Sequence, residues 1–195
     1  TQYFDFTFSN EDIVKTIDKA IDFQLLEKST TDKSILSFSH DQIRESFYDH
    51  INPEIKKIIH FQIGVTLENN YQTKAENKRE LEQSLYLNFT NHFILSENKE
   101  KILMYAFHAG MIAKEKYSNQ KALKYFNKAI DQVDHKNDIW VYSKKNIGEI
   151  YLRIGQYNES IKSFKEILDC IKDDYEKAEI MKQISQAYFK KGDWQ

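Results

Sequence analysis

The side chains able to do chemistry in this 195-residue sequence are six histidines, a single cysteine and a scatter of carboxylates. His40, His50, His60, His92, His108 and His135 fall on separate stretches, and none stands four residues from another His or Cys, the spacing that puts two metal ligands on one helix face. No metal site is expected. The pair His40-Asp41 is the most reaction-like, but a histidine at a helix start beside a capping Ser is better explained as structure than as an acid–base catalyst. Cys170 lies between Leu168 and Ile171 on an apolar helical pattern and reads as a small packed residue. A phosphate-binding loop of the form G-x-x-x-x-G-K-[ST] is absent. No catalytic set converges, so the reading is of a segment that is not an enzyme and carries no cofactor.

The totals bound the classes further. A formal net charge of -2 gives no whole-chain attraction to nucleic acid or to an anionic membrane, while 41% hydrophobic and 14% aromatic residues suffice for a packed core. No apolar run approaches the roughly 18 residues of a membrane span. The N-terminus, with Asp5 and no basic cluster, is not a secretory signal, and a cytoplasmic setting is expected.

The elements are clearest near the C-terminal end. Ile147 to Phe164 reads as two helices joined by a tight turn: Gly148 and Tyr151 share a helix face, Gly155 breaks that helix, and Ser160 and Phe164 lie on one face of the next. A single hairpin of this kind leaves a face uncovered, so neighbours should repeat it. Sliding the pattern back sets Gly110 opposite Gly148, Ala122 opposite Ser160, Phe126 opposite Phe164 and Ala129 opposite Ile167 at one offset. Sliding it forward sets Ser185 opposite Gly148, Tyr188 opposite Tyr151, Gly192 opposite Gly155 and Trp194 opposite Tyr157. These residues resemble the tetratricopeptide repeat, whose first helix carries a small residue and then an aromatic, followed by a Gly-containing turn and a second helix with Ala and Phe or Tyr. The units are 99–133, 138–172 and a shortened 175–195, the last reading as the start of a further hairpin in a longer array. Their offsets slightly exceed the family's period of about 34 residues, so 134–138 and 172–174 are expected to lengthen the links.

Upstream, residues 3–8 alternate aromatic and polar side chains, as in a short strand. Ser9 with Asp12 approximates a capping box and opens a helix striped by Ile13, Ile17, Ile21 and Leu25. Leu26–Ser29 and Ile35–Phe38 can pair across a polar turn. Ser39 with Gln42 makes a second capping box, opening a helix with Ile43, Phe47 and Ile51, and Asn52-Pro53 ends that helix and starts another. Helix, hairpin, helix is the order of a winged-helix module.

The run Leu36 to Tyr48, with Phe38, His40-Asp41, Ile43-Arg44-Glu45 and Tyr48, followed by His60, Ile63-Gly64 and Leu67, resembles the segment that closes the winged-helix domain of STAND-class signalling ATPases. In that family the segment follows a P-loop ATPase core and leads into a tetratricopeptide superhelix. The likeness departs at Ser46-Phe47, where small residues are common, and nothing like the ATPase core is present. The expected layout is a partial winged-helix module and following helix over 1–67, a polar link and capping helix over 68–98, and repeats over 99–195. The capping helix, Arg79 to Ser96, carries Leu81, Leu85, Phe89 and Phe93 on one stripe.

The resemblance implies a mainly α protein whose first helix of each repeat lines a concave face. The matching positions are Met104, Phe107, His108 and Met111, then Tyr142, Lys145, Asn146 and Glu149, then Lys182, Gln183, Gln186 and Lys190. Such a groove could hold a protein or peptide ligand, with the lysines and Asn146 suited to an acidic segment or terminal carboxylate. The implied role is a non-catalytic regulatory and partner-binding segment acting with the ATPase domain of its parent chain. Two alternatives stand beside it: a DNA-binding regulator using the winged helix, and a stand-alone tetratricopeptide adaptor. Between Glu11 and Lys28, Glu11, Asp12, Asp18, Asp22 and Glu27 outnumber Lys15, Lys19 and Lys28, the wrong sign for phosphate contacts.

Overall fold

The computed structural model describes residues 9–30, 32, 35–74, 79–134 and 137–192. The expected strand at 3–8, His135 and the Trp194 end of the expected third repeat lie outside them, as does the side chain of Leu81. The described chain is mainly helical, with one small antiparallel hairpin, and divides into two compact units, 1–55 and 56–195.

In the first unit, α1 (Asn10–Asp22) starts where the sequence places it. The hydroxyl of Ser9 accepts from the Asp12 N–H at 3.1 Å and donates to the Asp12 carboxylate at 2.6 Å, satisfying a donor that the first turn leaves without an intrahelical partner. The helix ends before Leu25, in a turn where Gln24 takes a left-handed backbone. β1 (Leu26–Lys28) pairs with β2 (Leu36–Phe38), Glu27 facing Ser37. A two-stranded hairpin is marginal alone; here α1 packs on β1 and α2 (Asp41–His50) packs on β2, with the Phe38 and Phe47 rings 6.1 Å apart. None of the described residues of this unit is buried.

The expected capping box at the start of α2 does not form. His40, not Ser39, is the N-cap and makes no side-chain cap bond. The Ser39 hydroxyl instead donates to the Gln24 carbonyl at 2.5 Å, tying the end of β2 back to the α1–β1 turn. A tertiary acceptor for the hydroxyl thus takes the place of the local N–H donor it would have capped.

α3 (Pro53–Lys74) opens on Pro53 with the Asn52 side chain accepting from Glu54 N–H at 2.9 Å, as Asn-Pro predicts. It continues to Lys74, into the stretch read as polar link. The second unit then runs α4 (Arg79–Leu95), α5 (Lys99–Glu115), α6 (Asn119–Ile130), α7 (Asp138–Arg153), α8 (Tyr157–Leu168) and α9 (Asp174–Lys191). Each helix from α4 on packs against the next. Asn98, Asn137 and Asp173 cap α5, α7 and α9 through their side chains.

Three glycines set the helix spacing. A Cβ on Gly64 would stand 2.7 Å from the Phe93 ring, one on Gly110 2.7 Å from Phe126, and one on Gly148 2.8 Å from Phe164. Each ring lies against bare backbone of the preceding helix, and each is almost wholly buried. The same closure joins α3 to α4, α5 to α6 and α7 to α8. Beside it the Ser160 hydroxyl donates to the Gly148 carbonyl at 2.9 Å, where Ala122 occupies the matching place in α6. The resulting core is continuous from Tyr86, Phe89 and Phe93 through Ala106, Ala109 and Ala113 to Ile147 and Ile150, with further clusters around Trp140, Ile167 and Ile180 and around Leu152, Ile161 and Ala187.

Candidate functional site

The candidate groove residues lie on α5, α7 and α9, and their surroundings differ. On α5, Met104 is exposed, Phe107 sits against the Phe126 ring at 5.7 Å, and His108 meets the Tyr86 ring edge-on at 5.1 Å. On α7, Tyr142 is exposed, whereas Asn146 is buried. Asn146 accepts from the Lys114 ammonium at 2.6 Å and donates to the Tyr142 carbonyl at 2.8 Å. Glu149 pairs with the same ammonium of Lys114. Lys145 reaches Glu176 of α9 at 3.5 Å. On α9, Lys182 pairs with Glu179 at 3.6 Å and Gln183 donates to the same carboxylate at 3.2 Å, while Gln186 and Lys190 are exposed.

Lys145, Asn146 and Glu149 therefore hold α7 to its neighbours, and Tyr142, Lys182, Gln186 and Lys190 present the face to solvent. The struts belong to a series that sequence reading missed. Upstream, the buried Glu68 carboxylate of α3 receives the Lys101 ammonium of α5 at 2.7 and 2.9 Å and the Tyr105 hydroxyl. Burial first, and then the bond to Glu68, pushes the Tyr105 phenol well above its ordinary range. The links run α3–α5, α5–α7 and α7–α9. Sequence separations of 33 for Glu68–Lys101 and 35 for Lys114–Glu149 carry the signal, since both lie close to the period of about 34 residues that the tetratricopeptide resemblance implies.

The histidines divide similarly. His60 of α3 and His92 of α4 face each other with Nδ1 atoms 2.9 Å apart. Burial lowers the pKa of both, and the charge on His60 adds to the lowering at His92. His40 stands exposed at the start of α2, and the His50 ring meets the Ser46 carbonyl at 2.6 Å. Among the described residues no three His, Cys, Asp or Glu side chains gather into a cluster able to hold a metal ion. Cys170 is half-buried with its thiol 3.9 Å from the Glu166 carbonyl. No described helix is long and apolar enough to cross a membrane.

Exposed Met104, Tyr142, Lys182, Gln186 and Lys190 thus stand on α5, α7 and α9, while ion pairs join α3 to α5, α5 to α7 and α7 to α9. No protein-family model matches the chain, and no curated protein matches it.

Proposed function

We propose that this chain is a non-catalytic regulatory and protein-interaction segment, built as a partial winged-helix module followed by tetratricopeptide-like hairpins, of a larger STAND-type signalling ATPase. The observation that carries the repeat reading is the closure of Phe93, Phe126 and Phe164 over Gly64, Gly110 and Gly148 in three successive helix pairs. Repetition of one packing solution is what a stacked array requires, because each pair buries the face its neighbour exposes. Tetratricopeptide arrays bind extended peptides or partner helices along their first helices. Here that face offers Met104 and Tyr142, both more than two-fifths exposed, alongside Lys182, Gln186 and Lys190. The placement behind an ATPase core rests on the likeness of Leu36–Tyr48 and His60–Leu67 to that family's segment.

The test places a photo-crosslinking residue at Tyr142 or at Gln186 of the full parent protein in its own cells, with Lys162 of α8 as control. Both positions are expected to capture one discrete protein or peptide that Lys162 does not. In extracts of the same cells, capture should also change between ATP and a non-hydrolysable analogue. Equal labelling at all three positions overturns the binding face. Discrete capture without nucleotide dependence keeps the face and favours the stand-alone adaptor.

A further inference from the structure

A second polar surface lies between α4 and α6, the later helices of their pairs, and is separate from the α5, α7 and α9 face. A cleft of about 340 Å³ is lined there by Ser84, Leu87, Asn88 and Asn91 of α4 and by Lys121, Lys124 and Tyr125 of α6. Tyr125 closes the floor by donating to the Leu87 carbonyl at 3.2 Å. Lys124 donates to the Asn91 side-chain oxygen at 3.0 Å, leaving that amide's NH₂ for another acceptor. Among the described residues, the side chains of Ser84, Asn88 and Lys121 have no hydrogen-bond or ionic partner, and none of the described lining residues is an acid. The N-cap residue of α6, Ser118, makes no side-chain cap bond, so the positive end of that helix stays uncapped within a turn of Lys121.

We propose that this cleft docks an acidic polypeptide segment, its carboxylates held by the Lys121 and Lys124 ammonium groups and by the amides of Asn88 and Asn91. The donors lie in two rows, each of residues three apart on a helix and so about 5–6 Å between Cβ atoms. Alternate side chains of an extended peptide project to one side at about 6.5–7 Å, a spacing that lets successive carboxylates meet successive donors. A single small anion engages only part of that row. The next hairpin does not repeat the feature: the places of Lys121 and Lys124 are taken in α8 by Glu159 and Lys162, and an acid there repels the same ligand.

The experiment titrates isotope-labelled protein with an acetylated hexaglutamate peptide and maps backbone amide shifts. Shifts are expected to cluster on 84–91 and 119–125, with affinity falling steeply between about 50 and about 200 mM salt. Lys121→Ala with Lys124→Ala is expected to weaken binding about tenfold, and Lys162→Ala to leave it unchanged. Both lysines are exposed, so the fold should survive; Asn88→Leu, which keeps both charges, is a second variant expected to weaken binding. Shifts spread over the exposed lysines generally, or full binding by the double-lysine variant and by Asn88→Leu, overturn the proposal. Inorganic phosphate displacing the peptide at equal concentration also overturns it, by assigning the cleft to any anion.

Discussion

Gly148 shows how much one absent side chain determines. Its missing Cβ leaves room for the Phe164 ring, and the fit is too close for even a methyl group at 2.8 Å. Gly148→Ala is expected to destabilise by about 1–3 kcal/mol through overpacking. Adding Phe164→Leu should recover part of that loss, a coupling that urea unfolding of the two single variants and the double variant measures; strict additivity would show that the two residues do not act together. A second residue-scale consequence concerns His60 and His92. Their folded pKa values lie below the ordinary 6.5, so as pH falls past 6.5 the unfolded chain takes up protons that the folded chain does not. The stability tied to the neutral pair is therefore complete above pH 6.5 and lost as pH falls toward the lowered folded values. Denaturation midpoints at about pH 7.5 and about pH 5.5 should differ, and His92→Gln should reduce that difference.

At the scale of elements, the struts decide how adjacent first helices are held. Glu68 is the most buried of their charges, and its carboxylate receives both Lys101 and Tyr105. Glu68→Gln keeps the shape but takes away the charge that partners the half-buried Lys101. A loss of about 1–3 kcal/mol is expected in thermal or urea unfolding, with no change in helix content by circular dichroism. These struts also mark where sequence reading stopped. The Gly110–Phe126 and Gly148–Phe164 closures were legible because both follow one offset. Gly64–Phe93 was not, since the long α3 and the connection after it set Phe93 nearly twice as far from its glycine. The starts of α1 and α3 were legible because their caps are local, whereas the start of α2 misled because Ser39 found an acceptor at Gln24 instead. Lys145, Asn146 and Glu149 read as solvent-facing because their partners, Glu176 and Lys114, sit on helices not adjacent in sequence.

For the whole molecule, burial is distributed unevenly. The unit 56–195 holds every buried hydrophobic side chain described, while 9–55 holds none and keeps Val14, Phe23, Ile35 and Phe47 more than half exposed. Protection from amide exchange follows buried contacts. The amides of α1 and α2 are thus expected to exchange orders of magnitude faster than those of α5 to α8, and hydrogen-exchange mass spectrometry resolves the two sets. Uniform protection would mean that the first unit draws stability from contacts the described residues do not make.

The turn after α5 depends on a residue that does not belong to its own hairpin. Tyr117 takes the left-handed backbone, at φ 56°, that Gly155 takes after α7. Ser118 N–H bonds to the Ala113 carbonyl and Tyr117 N–H to Lys114, just as Gln156 and Gly155 bond to Tyr151 and Leu152. For tyrosine that conformation costs about 1–2 kcal/mol, which glycine avoids. The guanidinium of Arg153, the last residue of α7, lies 5.1 Å from the Tyr117 ring centre and bonds to the Asn119 side chain at 2.5 Å. The compensation for the α5–α6 turn comes from the far end of a later helix, so the turn reaches its lowest energy only once α7 has docked. This hairpin's turn is thereby supported in part by the helix that opens the next.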